Sequence, residues 1–167
     1  LQASGIEPVG TGENSEAAFR PLFRQLGAVE LAVFNIDATQ PRFAAGPDAA
    51  GSAYLSLADP ALWFETLAPR IAEARLQADV VLVAVHWGDN RVAHPSAQKI
   101  AVGHAIIDAG ADAVLGASAH VLQGIEIYKD RPILHDAGDL LFDAIGTGPV
   151  ATGLFSLELS RDGVKTV

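Results

Sequence analysis

Three histidines stand where apolar runs give out, among residues suited to site chemistry. His86 closes the run 80–85 and leads into Trp87-Gly88-Asp89-Asn90. His120 follows Gly116-Ala117-Ser118-Ala119, and His135 opens His135-Asp136-Ala137-Gly138-Asp139. Neutral imidazole is both a common metal ligand and a general base. Imidazole with carboxylate suits a hard or borderline cation such as Mn, Zn or Mg. His86, His120 and Asp139 are therefore the candidate metal ligands and catalytic groups. Ser118 can donate to a phosphate or carboxylate, and the small residues before His120 let backbone approach a ligand closely. Asn90 and Trp87 follow His86 and are candidates to line a substrate cleft.

Each has an ordinary structural reading as well. His86 can cap a strand and pack on Trp87, and Trp87 can belong to the core or the rim. Asp136 and Asp139, flanking Gly138, suit the Asx turns that often end strands. His94, before Pro95, reads as a loop or helix-entry residue, and His104 as a structural or surface one. Ser118, His120 and Asp139 can be written as a triad, but no Gly-x-Ser-x-Gly elbow supports it.

These groups need elements to hold them. The largely apolar runs 29–36 and 79–86 fit buried strands of a parallel sheet. Residues 113–116, 125–128 and 133–134 read as shorter strands, the last two around a Lys129-Asp130 turn. Residues 13–26 have helical spacing ending at Gly27. Residues 59–77 read as a helix with Asp59 as N-cap and Pro60 in its first turn, with Pro69 a place for a kink. Residues 95–109 read as a helix ended by Gly110. Residues 153–159 alternate as a last strand, and 37–58, punctuated by Pro and Gly, reads as a long loop of the kind that forms lids. Strand and helix alternate, then strands follow one another, which predicts an α/β fold with a partly parallel sheet. Polar groups at strand ends are where such folds build sites.

The chain has 167 residues, half of them hydrophobic, with a net charge of -9 and no cysteine. One folded domain over 1–167 follows. The acidic balance argues against a nucleic-acid partner, which needs clustered Lys and Arg. Disulfides and cysteine nucleophiles are excluded, and no apolar run reaches the roughly 20 residues of a membrane span. The chain starts at Leu1 and has no Met, which predicts a piece of a longer product.

At these residues the chain resembles the CapA family of poly-gamma-glutamate capsule biosynthesis proteins, whose fold is similar to the calcineurin-like metallophosphoesterases. His86-Trp87-Gly88 matches the family's His-Trp-Gly strand end. Residues 107–112 match its IDAGAD turn, 123–133 its QGIE-Y-RPI hairpin, and Gly138-Asp139-Leu140 its final Gly-Asp/Asn-Phe strand end. Residues 9–21 and Tyr54-Leu55 also fit. Two features depart from the pattern. The family's Gly-His-x-x-His reads Gly116-Ala117-Ser118-Ala119-His120, so Ala stands for the first His. The family's N-terminal Gly-Asp, Asn-Leu-Glu and Asn-Asn-His motifs are absent.

The resemblance implies part of a layered αββα sandwich with a mixed sheet, the C-terminal portion of a metallophosphatase-like domain. It implies a metal-dependent hydrolase with His86, His120 and Asp139 at a divalent metal. The substrate would be a phosphoester or anionic polymer, the partners other capsule synthesis proteins, and the location the cell envelope or beyond the cytoplasm. A non-catalytic assembly component with a degenerate site is the alternative.

Overall fold

The computed structural model describes residues 4–139 and 153–166. A six-stranded mixed sheet is its centre. In chain order its strands are β2 (Leu22–Leu26), β3 (Val29–Asp37), β5 (Val80–His86), β6 (Ala113–Ala117), β7 (Ile125–Tyr128) and β8 (Arg131–Leu134), arranged β2-β3-β5-β6-β8-β7. The four inner strands run parallel, and β2 and β7 pair antiparallel at the two edges. Two helices make the crossovers: α2 (Pro60–Ala74) from β3 to β5, and α3 (Ala97–Asp108) from β5 to β6. Both crossovers step the same way across the sheet, so right-handed connections put both helices on one face.

That face carries the main core. Trp63, Leu67 and Ile71 of α2 and Val102 and Ile106 of α3 pack on Phe34, Ile36, Val81, Val83, Val85 and Ile133. Burying each such side chain is worth about 1.5–3 kcal/mol. The sequence builds α2 as anticipated. The Asp59 carboxylate accepts from Leu62 N, and Pro60 occupies the first turn. Pro69 does not break the helix. It lies on the exposed side, where a carbonyl released from the helix ladder can bond to water.

The second face is covered differently. Leu157, Leu159 and Val164 pack on Val29, Leu31, Val80, Leu82 and Ala113. Leu159 and Val164 belong to a C-terminal hairpin of β9 (Glu158–Ser160) and β10 (Gly163–Thr166), and Leu157 directly precedes it. Further toward the carboxyl edge, Leu115, Leu134, Phe155 and Leu157 line an apolar cavity of about 360 Å³. The described residues thus supply one helical layer and one mixed sheet of an α/β sandwich.

Three element expectations are corrected. Residues 13–26 are not one helix: α1 (Ser15–Ala18) is a single turn, and β2 follows. Pro21 cannot extend a helix, and Gly27-Ala28 form a tight hairpin joining Leu26 to Val29. Residues 37–58 are not bare loop. Pro41–Phe43 make a 3-10 turn, and β4 (Gly51–Ser52) pairs with β1 (Thr11–Gly12). Residues 153–157 are not strand; the alternation places Leu157 and Leu159 on the sheet without a ladder at 153–157.

At the amino edge of the sheet, the IDAGAD turn has a structural role. Asp112 pairs with the Arg75 guanidinium and accepts from Val81 N at 2.8 Å. Arg75 also donates to the Asp79 and Gly110 carbonyls at 2.6 and 2.9 Å. That turn lies opposite the edge where the histidines gather.

Candidate functional site

The parallel ladder puts three strand ends in one row. Asp37 is the register partner of His86, and His86 of Ala117. Side chains alternate along a strand, and Leu31, Leu82 and Ala113 belong to the second face. Asp37, His86 and Ala117 therefore face the side away from the helices, at the carboxyl edge. Neither composition nor motif singled out Asp37. The signal was present: it ends an apolar strand, as His86 does.

Asp37 fixes the His86 ring. Its Oδ1 is 3.1 Å from His86 Nδ1, and Thr39 Oγ1 is 3.0 Å from the same nitrogen. Thr39 Oγ1 donates to Asp37 Oδ1 at 2.8 Å. A carboxylate only accepts, so this geometry assigns the proton to Nδ1 and leaves Nε2 as the acceptor or ligand atom. Burial pushes the Asp37 carboxyl up, but hydrogen bonds from the Thr39 backbone and side chain, from His86 and from the Gln40 backbone outweigh it, and the net shift is downward. Asp37 is thus held ionised. The His86 side chain is 53% exposed, so its ring faces solvent rather than core.

His120 has a similar arrangement. Its Nδ1 lies 2.8 Å from Asp139 Oδ1. The turn that carries it is strained: Ser118 has φ 114 and His120 φ 59, conformations that ordinary residues seldom adopt. The loops after β5 and β6 are tied together by Trp87 N to Ala117 O at 2.9 Å and Arg91 N to Ala119 O at 2.6 Å. Two imidazoles oriented through Nδ1 by carboxylates form the arrangement that metal-binding histidines use. Asp139 contacts His120 as Asp37 contacts His86.

The remaining candidates scatter. Trp87 is not on a cleft wall: it is 0% exposed, and its Nε1 donates to the His135 carbonyl at 2.8 Å. A large apolar ring with one satisfied N–H suits a core position. Ser118 is half-buried and Asn90 exposed, both in turns at this edge. Asp136 is fully buried and structural, accepting from Ala119 N at 2.7 Å and Gly138 N at 3.0 Å. The second bond is an Asx turn. His135, also buried, reaches Glu126 through Nε2 at 3.0 Å; burial foremost holds its pKa down. His104 binds the other Glu126 oxygen and stacks on Tyr128 with centroids 3.8 Å apart. His94 is exposed.

Among the described residues, no three His, Asp or Glu side chains are grouped to hold a metal ion. The donor chemistry fits such an ion, but the set is a partial one. Among the same residues no helix is long and apolar enough to cross a membrane.

The family model described as "Bacterial capsule synthesis protein PGA_cap" matches residues 1–144. The chain is 31% identical over 160 residues to the PGA biosynthesis protein CapA of Bacillus subtilis (strain 168), covering 95% of this chain and 40% of that protein. It is 28% identical over 164 residues to the capsule biosynthesis protein CapA of Bacillus anthracis, covering 98% and 39%. It is 32% identical over 155 residues to a probable polyglutamine synthesis accessory protein of Mycobacterium tuberculosis, covering 89% and 40%. The chain thus spans about 40% of the length of these curated relatives.

Proposed function

This chain belongs to the PGA_cap family of bacterial capsule synthesis proteins, and from that premise we propose that it carries part of a divalent-metal site for hydrolysis in the metabolism of an anionic capsular polymer. His86 and His120 are the ligands in this reading. Asp37 and Asp139 fix their tautomers, and Ser118 and Asn90 stand at the same edge for substrate contact. Donors beyond the described residues complete the site. When bound, the metal would lower the pKa of a coordinated water and polarise a phosphoryl or acyl oxygen.

One observation carries the reading: two imidazoles at neighbouring parallel strand ends, each held through Nδ1 by a carboxylate. A histidine kept only for packing needs no such partner at an exposed edge. One observation favours the second reading, an assembly component without catalysis: Ala117 occupies the strand end beside His86.

Metal content separates the two. The intact protein, incubated with Mn or Zn and desalted, is expected to retain stoichiometric metal by inductively coupled plasma mass spectrometry. His86→Ala should abolish retention. Asp37→Ala should weaken binding about tenfold, the usual effect of losing a group that orients a ligand. A folded wild-type protein that retains no metal would favour the assembly reading. Unchanged affinity in Asp37→Ala would remove Asp37 from the site.

A further inference from the structure

We propose that Lys99 is the positioning residue of this site: one buried ammonium, beneath the edge, ties together the three loops that carry His86, His120 and Asp139. This rests on the reading above only for what the site holds. Lys99 sits in the first turn of α3 and is 2% exposed. Lysine is rarely buried so completely unless paired, because its charge must leave water.

The contacts reach each loop. Lys99 Nζ donates to Gln123 Oε1 at 3.1 Å, and Gln123 Nε2 donates to the Val92 carbonyl at 2.7 Å. That arm holds the loop following His86. The Lys99 stem also crosses directly under Gly88, and its ammonium lies 5.7 Å from the Trp87 ring centroid. The second arm also runs through Gln123, whose backbone N–H donates to the Asp136 carbonyl at 3.1 Å. The Asp136 carboxylate accepts from Ala119 N and Gly138 N, the neighbours of His120 and Asp139. Asp136 thus spans both halves of the His120–Asp139 pair, and Gln123 connects it to the Lys99 ammonium. An apolar residue of similar length would fill the space but hold none of the three loops in register.

Lys99→Met removes the ammonium and keeps the stem. The test uses the intact protein, metal-free, with ¹⁵N-labelled histidine. In the wild type the His86 and His120 signals should each show one dominant tautomer with Nδ1 protonated. In Lys99→Met the His120 signals should move toward a tautomer mixture, and Mn affinity should fall about tenfold in a protein whose circular dichroism is unchanged. Lys99→Arg, which keeps the cation, should restore most of both. A folded Lys99→Met protein with wild-type imidazole signals would overturn the proposal. If Lys99→Met does not fold, Gln123→Leu cuts only the arm to Val92. It should then shift the His86 signals and the amides of 88–94, and unchanged signals would overturn the proposal equally. The imidazole spectrum is read without metal, so it stands apart from whether the wild-type protein binds one.

Discussion

Ala117→His is expected to strengthen Mn or Zn binding by the intact protein about 100-fold. The register makes the case. Ala117 is the last residue of β6 and the direct partner of His86 on β5. Adjacent strands lie roughly 4.8 Å apart, and partnered side chains share a face, so an imidazole at 117 would stand beside the His86 ring. Ala117 is exposed, and it lies outside the left-handed region that holds Ser118 and His120. A larger side chain therefore meets neither core nor backbone strain. Loss of a group that merely orients a ligand costs about 10–100-fold in affinity, so a ligand gained is expected at the upper end. The substitution also restores the family's Gly-His-x-x-His pattern at 116–120. Competition with a chelating dye measures the outcome. A large gain would mean that this site is a metal site short of one donor. A folded variant with unchanged affinity would place residue 117 outside any ligand sphere and favour the assembly reading.

The sheet was legible because its inner strands are buried on both faces. Such strands read as mostly apolar runs, as 80–85 does throughout and 29–36 does with only Glu30 and Asn35 interrupting it. The helix α2 was legible from its ends, since Asp59 and Pro60 act locally on backbone they adjoin. Residues 13–26 misled because their spacing fits a helix face while Pro21 and Gly27 impose a turn and a hairpin. A short edge strand has no core on both sides to mark it. The site was half legible. His86 and His120 announce themselves by type, but Asp37 is one of twenty acidic residues. Only the parallel register, a contact between positions 49 apart, brings it to His86. Trp87 shows the opposite limit. Sequence places it next to His86, yet strand alternation turns consecutive side chains to opposite faces, so its ring goes into the core. Lys99 could not be found from sequence, because nothing in a helical first turn distinguishes a buried lysine from a solvated one.

Gly88→Ala is expected to destabilise this domain by about 2–6 kcal/mol, and the reason connects the His-Trp-Gly motif to the core beneath it. Two costs combine. Gly88 has φ +101, a conformation that strains a residue with a Cβ by about 1–3 kcal/mol. The added methyl would also stand 2.0 Å from Lys99 Cε and 2.1 Å from its Nζ. A flexible side chain at the surface would swing aside at little cost. Lys99 is 2% exposed and its ammonium is bonded to Gln123, so relief requires moving a buried cation, which overpacking costs place at about 1–3 kcal/mol. Gly27→Ala isolates the first cost, since Gly27 has φ +62 and no neighbour within 4 Å of an added Cβ. Differential scanning calorimetry should therefore show Gly88→Ala lowering the transition by roughly 5–15 °C and Gly27→Ala by only a few degrees. Equal losses would mean that Lys99 yields freely, and a lysine that yields freely could not hold the loops of His86 and His120 in place. The glycine after His86-Trp87 is, on this account, the opening through which the buried lysine reaches the site.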